Sequence, residues 1–599
     1  KIVEDSHGKL WLTPSGNGMA MYDRERNRLV PFLDKNRHYA WTTENTLIDL
    51  FVDRQDNVWF CGKYTGLQKA TYSAMQFNTL SHTAPTESGH DIRGIFQDSK
   101  GRIWLGAKSG VVSVYDSGLH FIGNLGADGT LSPHSTSQVG HAYAFAEDRN
   151  GTIWIATKFS GLIRLLPNGE KSFRLTRYTA DGSPYGLPHN DIFSICIDRH
   201  NRLWGATFGG GIFYADLRAK HLRFIHPGNR LKTYPIQTFK RTRFITADRS
   251  GDIWVCTTSG LIRFKDNFHS PSDIRFVVYK RQPDNASSLS YNDVLEAYFT
   301  KADSMYVCTY GGGFCKVERM EGDSLRFTPF TTANGLRSDV IFSVQEDKGG
   351  NLWFASENGF VRYSPRKNSV ENFSSRFFGK QIDINEGMSL RLKNGVLAYP
   401  SRNYTLVYFN PERIKASKFV PKIILTRLFV DQTEQQPSAD DDAILESDIN
   451  CTECITLPSD KNGFNLEFAA LDYRDPTNVS YAYMMKGIDA GWNMIGNRHN
   501  AIYNNLPPGR YTLKIRSTNS DGVWVDNVRE VSIEVLPSFW QTGWAWLLYF
   551  IIAVIVVGAT TYVLITILQL KQKVAIEQQI SDLKMKFFTN ISHEIRTPL

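Results

Sequence analysis

Asp98-Ser-Lys-Gly-Arg-Ile-Trp104-Leu-Gly is the stretch on which the reading of this chain turns. Its phrase is an Asp, a turn containing Gly or Asn, an aliphatic residue and a Trp. It returns as Asp148-Arg-Asn-Gly-Thr-Ile-Trp154, Asp198-Arg-His-Asn-Arg-Leu-Trp204, Asp248-Arg-Ser-Gly-Asp-Ile-Trp254 and Asp347-Lys-Gly-Gly-Asn-Leu-Trp353. Two earlier copies carry Trp11 and Trp59, and two weaker ones place Tyr306 and Leu397 at the Trp position. Successive markers stand 48, 45, 50, 50, 50, 52, 47 and 44 residues apart. A period of about 45–50 residues with four short strands per unit is the spacing of propeller blades. Gly-rich hairpins and runs of β-branched and aromatic residues exclude a helical repeat.

Nine units exceed the roughly four to eight blades in which one propeller closes. Residues 77–415 are therefore expected to form a seven-bladed ring, and 1–76 the last blades of a truncated first propeller. A single open array would leave unpaired strand edges.

Composition agrees with a large globular β protein. Of 599 residues, 42% are hydrophobic and 21% charged, with 46 Gly, 13 Trp and 26 Tyr to build strands and tight turns. The net charge of +8 is spread thinly, so no nucleic-acid footprint is expected. The chain opens on Lys1 without a signal-peptide pattern and ends at Leu599 inside a motif, which leads us to expect a fragment of a longer protein. Seven cysteines are too few for a disulfide framework. Cys61, Cys256 and Cys308 suit tight strand positions. Cys451 and Cys454 lack the further ligands of a zinc site and are expected as free thiols or, in an oxidising compartment, a local disulfide.

After Pro411 the period stops, and residues 416–537 hold short alternating strands around 422–429, 464–468, 481–485, 511–516 and 531–535. That pattern reads as an immunoglobulin- or fibronectin-like β-sandwich. Tyr481-Ala-Tyr-Met-Met-Lys-Gly-Ile-Asp-Ala-Gly-Trp492, Ala501-Ile-Tyr503, Tyr511 and Asn519-Ser-Asp-Gly-Val-Trp524 resemble the triple-tyrosine (Y_Y_Y) domain found outside the membrane in propeller-containing sensor kinases. Buried tyrosines offer apolar faces with hydroxyls that need partners, so packing is their expected work.

Residues 544–568 carry no charge and are long enough for a membrane span, with Trp540, Trp544 and Trp546 at one end and Lys571, Lys573, Lys584 and Lys586 beyond the other. The lysines predict a cytoplasmic C-terminus and exterior propellers. Ile576, Ile580, Leu583 and Phe587 then trace a short coiled-coil seam within 569–599, which predicts a homodimer. The expected fold class is thus mainly β: seven-bladed β-propeller(s), a β-sandwich, one transmembrane helix and the start of a dimerisation helix.

The last residues, Asn590-Ile-Ser-His593-Glu594-Ile-Arg596-Thr597-Pro598, resemble the phosphoacceptor box of sensor histidine kinases. By that resemblance His593 accepts a phosphoryl group and Glu594 orients the ring or acts as general base. Pro598, which lacks an N–H, is expected to bend the helix. The resemblance implies ATP and Mg in a kinase domain absent from this fragment, which itself holds no cofactor, and a receiver domain fused or separate. The whole layout resembles bacterial hybrid two-component sensors of polysaccharide breakdown products. That resemblance implies a periplasmic oligosaccharide ligand, an inner-membrane location and control of glycan-utilisation genes.

In a propeller, the loops entering each innermost strand and the hairpin after each Trp strand share one face. That face is expected to carry Arg93, His141, Tyr143, Lys158, Phe159, Asp191, Phe208, Arg243 and Tyr310 as ligand-binding candidates, together with Asn190, Asn292, Asp339 and Glu357. Aromatic rings with Arg, Asp and Asn suit a sugar through stacking and paired hydrogen bonds, and a protein partner would use the same chemistry. No metal cluster or Ser/His/Asp set repeats across the units. A glycan-acting hydrolase and a membrane-tethered scaffold are the two rival readings, and the second leaves the His593 box unexplained.

Overall fold

Each Asp-to-Trp phrase closes the same piece of local structure. Asp98 accepts the Arg102 N–H at 2.8 Å on one carboxylate oxygen and the Trp104 indole N–H at 3.0 Å on the other. Asp148, Asp198, Asp248 and Asp347 repeat both bonds with the residues four and six places on. A carboxylate is needed because it accepts twice while almost fully buried, and the bonds to N–H groups offset its desolvation. The turn residue three after the Asp lies at positive φ, as Gly101 does at 86° and Asn201 at 60°. This is why the phrase demands Gly or Asn there. Trp104, Trp154, Trp204, Trp254 and Trp353 are all buried.

These facts come from a computed structural model, which describes residues 1–599 apart from 7, 14–18, 25, 32–46, 65, 72–76, 81–90, 375–381, 403–405, 415–416, 441–442 and 596–599. The chain divides into two compact units. The first comprises Lys1–Pro421 with Asp472–Val479 and Thr518–Val525, and the second the remainder.

Within the first unit, seven antiparallel sheets follow one another. Their innermost strands are Ile92–Gln97, His141–Glu147, Ile192–Ile197, Thr242–Ala247, Val294–Phe299, Ile341–Glu346 and Leu390–Arg391. Each packs on the next, and the last returns to the first, which makes a closed ring. Asn78–Leu80 supplies the outer strand of the seventh sheet, beside Leu406–Phe409, so the chain's entry into the ring is stitched to its exit. Closure of this kind leaves no open edge between first and last blades. Buried aromatic and aliphatic side chains fill the spaces between sheets, as where Trp204, Phe264 and Tyr214 meet. The sheets approach closely: a Cβ on Gly106 would lie 2.4 Å from the Ala142 carbonyl oxygen of the next blade.

Two further sheets precede the ring, Ile2–Glu4 to Arg28–Pro31 and Leu47–Val52 to Gly66–Thr71, and share a small core of Trp11, Met19, Leu50, Val58 and Phe60.

The second unit holds two facing sheets. One pairs Thr433–Glu434, Ile423–Val430, Phe464–Ala470 and Asn500–Tyr503; the other orders Cys454–Leu457, Arg529–Val535, Gly509–Ser517, Tyr481–Lys486 and Asn493–Gly496. Alternate residues Leu425, Leu466, Phe468, Leu513, Ile515 and Ile533 point inward. The tyrosine hydroxyls are occupied: Tyr481 accepts the Ala470 N–H, Tyr503 donates to Asp489 and Tyr511 donates to the Pro507 carbonyl. Cys451 and Cys454 are free thiols. A continuous helix, Gly543–Ile595, then carries both the apolar stretch and the exposed seam residues Ile576, Ile580, Leu583 and Phe587. Among the described residues it is the one helix long and apolar enough to cross a membrane.

Candidate functional site

Six of the seven innermost strands break register at the same place. The ladder to the neighbouring Trp strand skips Arg93, Tyr143, Phe193, Arg243, Leu295 and Phe342, one per blade. A β-bulge turns the extra residue out of the ladder and re-aims its side chain. Here all six, joined by Glu386 of the seventh blade, line a single cavity in the ring. The cavity is small, about 60 Å³, which admits water but not a sugar ring. A larger ligand would therefore have to rest on the mouth above it.

Charge bolts the ring across its width. Arg243 of the fourth blade grips Asp293 through Nε and Nη2 at 2.6 and 2.8 Å, and sends Nη1 to Glu386 at 2.7 Å. Arg93 of the first blade meets the same Glu386 carboxylate at 3.3 Å and donates to the Glu386 carbonyl. Burial opposes the Arg243 charge, but the bonds to Asp293 and the fields of Glu386 and Asp293 outweigh it and raise the Arg243 pKa. Below the mouth, burial pushes the Glu296 carboxyl up to about 8, although it accepts the Val344 N–H at 3.0 Å.

Beside the charges runs an aromatic stack. Tyr143 lies 4.8 Å from Phe193, and Phe193 lies 4.8 Å from Phe208, with planes 25° and 10° apart. The Arg93 guanidinium sits 5.7 Å from the Tyr143 centroid, and those of Arg241 and Arg243 lie 5.5 and 6.0 Å from Phe208. A second cluster gathers on the second blade's hairpin. Phe159 is 62% exposed and held at a φ of 71°, a left-handed conformation costly for a residue with a Cβ. Its N–H donates to Asp191 at 2.8 Å, the His141 ring meets it edge-on at 5.6 Å and Lys158 Nζ lies 4.7 Å from its centroid. Burial, then the Lys158 charge, lower the His141 pKa and favour the neutral ring.

Arg93, Tyr143 and Arg243 thus meet in one ring with Phe208 stacked alongside, while His141, Lys158, Phe159 and Asp191 form a neighbouring patch. Arg93, Tyr143 and Arg243 lie on the innermost strands themselves, not on the loops that enter them, because the bulge gives a strand residue the orientation of a loop residue. Tyr310 is exposed on the fifth blade's hairpin, its N–H bonded to the Asp293 carbonyl. Asn190, Asn292, Asp339 and Glu357 instead brace loops, accepting from the Ala180, Arg281 and Thr332 N–H groups and the Ser338 hydroxyl respectively. Sequence reasoning missed Phe193, Leu295, Phe342 and Glu386. A signal for them existed: each of the seven ring residues stands eleven places before its blade's marker, as Arg93 does before Trp104 and Glu386 before Leu397.

His593 and Glu594 are exposed in the last turn of the long helix, three and four residues beyond Asn590. The expected Pro598 bend, with Arg596 and Thr597, lies outside the described residues.

The blade repeats match the model for the two component regulator propeller at residues 86–109, 138–159, 186–209 and 335–358, and residues 472–536 match the Y_Y_Y domain. The chain carries two-component regulator propeller repeats and a Y_Y_Y domain. Each matched propeller repeat contains one ring residue, Arg93, Tyr143, Phe193 or Phe342. Histidine kinase P4 of Formosa agariphila is 29% identical over 412 residues, covering 66% of this chain and 29% of that protein. The chain therefore spans under a third of the length of this curated relative. A crystal structure described as the extracellular domain of a hybrid two component system, BT3049, from B. thetaiotaomicron has the same fold, with a TM-score of 0.63 and 22% identity over 90% of this chain and 68% of that one. The extracellular domain of BT4673 from the same organism matches at 20% identity and a TM-score of 0.45, over 90% and 69% of the two chains. The chain is thus similar to sensor kinases in its propeller region and has one candidate membrane helix among the described residues.

Proposed function

We propose that this chain is the sensing region of a two-component sensor histidine kinase of the bacterial inner membrane, and that the mouth of its seven-bladed ring binds an oligosaccharide released from a polysaccharide. The observation that carries the reading is the bulge at one position of six innermost strands. It aims Arg93, Tyr143, Phe193 and Arg243 at a common mouth beside Phe208. A bulge costs ladder hydrogen bonds, and its repetition around a ring is a device for presenting side chains. Stacked rings offer a sugar's C–H face an apolar platform, while arginines and carboxylates serve its hydroxyls.

In this reading the propellers and sandwich are periplasmic and the helix end is cytoplasmic, in keeping with the tryptophans before the span and Lys571, Lys573, Lys584 and Lys586 after it. Ligand shifts a homodimer between two arrangements by binding one more tightly. The continuous helix Gly543–Ile595 carries that difference to His593. ATP with Mg, held by a kinase domain outside these residues, supplies the phosphoryl group. His593 receives it on an imidazole nitrogen, and Glu594 orients the ring or takes its proton. A receiver domain, fused or separate, then passes the signal to glycan-utilisation genes, with no nucleic-acid contact by this region.

Calorimetry of the full chain in detergent against oligosaccharides from digested polysaccharides tests this. Saturable binding that falls about five- to tenfold in each of Tyr143→Ala and Phe208→Ala is expected, since removing each aromatic ring from the sugar platform costs about 1–1.5 kcal/mol. Binding unchanged in both variants would move the site off the mouth.

A further inference from the structure

The seat between Arg93 and Arg243 is filled by the protein's own carboxylate, and several features mark that carboxylate as replaceable. Arg93 and Arg243 come from blades one and four, with side chains only 14% and 18% exposed, and converge on Glu386. Arg243 is saturated: Asp293 holds its Nε and Nη2, and Glu386 its Nη1. Arg93 is not, for its Nε is buried without a hydrogen-bond partner among the described residues. A guanidinium binds a carboxylate best through two parallel N–H groups, and a buried N–H left unpaired is costly. Glu386 uses Arg93 through Nη1 alone.

Glu386 is also the least anchored member of the ring. Its six counterparts sit on strands, whereas Glu386 lies on a bend with Gly387, and its side chain is 36% exposed. The following Met388 N–H is tied to the Arg93 carbonyl at 3.0 Å, which fixes the backbone while leaving the side chain a path to solvent. When Glu386 swings out, Asp293 is the one carboxylate among the described residues still hydrogen-bonded to either guanidinium, and one positive charge is unbalanced. A hydroxyl does not neutralise it; an anion does. The 60 Å³ below the mouth excludes a sugar ring but admits a pendant group, and the Tyr143–Phe193–Phe208 stack stands beside the seat to receive the ring.

We propose that Glu386 stands in for a ligand carboxylate, so that the seat formed by Arg93 and Arg243 is a subsite for the uronic acid residue of an acidic oligosaccharide. This rests on the mouth being the sensing site. Entry of the ligand carboxylate expels Glu386 and completes the Arg93 fork through Nε. Glu386 is then a specificity-determining residue: it balances the seat when empty and sets the threshold a ligand must exceed.

The test uses the full chain in detergent, with sodium glucuronate and glucose as probes in calorimetry. Glu386→Gln keeps the side chain's shape and removes its charge. It is expected to tighten glucuronate at least about tenfold, to leave glucose unchanged, and to lose the gain when Arg93→Gln is added. A parallel measurement guards against misfolding. Glu386→Ala should gain more thermal stability from sodium acetate than from the same concentration of sodium chloride, whereas the wild type gains equally from both. Equal response of Glu386→Gln to glucose and glucuronate, or absence of any glucuronate gain, would overturn the proposal. Either failure would leave a Tyr143- and Phe208-dependent response to a neutral oligosaccharide standing. Loss of that dependence would instead mean that the mouth is not the sensing site.

Discussion

Glu296 borders the ring cavity, where burial pushes its carboxyl up to about 8 from an ordinary value of 4.5. The folded chain therefore keeps a proton that the unfolded chain releases near 4.5. Stability from this group is complete below that value and is lost as pH rises through about 8. The propeller's melting temperature is expected to fall between pH 5 and 8.5, and Glu296→Gln to flatten that slope, as followed by tryptophan fluorescence. An unchanged slope would mean that Glu296 ionises in place without cost. Asp198 matters for a different reason, the buried cation it holds. It is ion-paired to Arg202, whose side chain is 9% exposed, and accepts the Trp204 indole N–H. Asp198→Ala leaves a buried guanidinium without its carboxylate, so a loss of about 3–5 kcal/mol is expected in urea denaturation.

At the scale of elements, the hairpin carrying Phe159 separates binding from stability. Its positive φ costs a residue with a Cβ roughly 1 kcal/mol or more. Phe159→Gly relieves that strain but frees the unfolded chain by about 0.4–1 kcal/mol. Melting is expected to change little, while oligosaccharide affinity falls. A large loss of stability would assign Phe159 to packing. The blades themselves were legible in sequence because the Asp, the Gly or Asn turn and the Trp are fixed by local hydrogen bonding, which reads as identity at fixed spacing. Even the weak units with Tyr306 and Leu397 kept that spacing. The ring was legible only in part. Arg93, Tyr143 and Arg243 stood out as polar or aromatic residues near a strand's start, but Phe193, Leu295 and Phe342 look like ordinary core residues. Bulge geometry, not residue type, sends them to the cavity. Glu386 lies in the weakest repeat and gains its place through Arg243 of a blade more than a hundred residues away, a pairing no local pattern contains.

For the whole molecule, orientation is testable with a cysteine the chain already has. Cys451 is an exposed free thiol of the sandwich. A membrane-impermeant maleimide is expected to label it in cells with a permeabilised outer membrane, while Lys573→Cys is labelled only after the inner membrane is opened. The reverse pattern would invert the proposed topology. The sensing role of the mouth is tested most directly by hydrogen–deuterium exchange of the full chain with and without an oligosaccharide that it binds. Protection is expected around Arg93, Tyr143, Phe193, Arg243 and Glu386 and at the hairpins of Phe159 and Phe208. Protection confined to other parts of the chain, with these amides unchanged, would contradict a ligand site at the mouth of the ring.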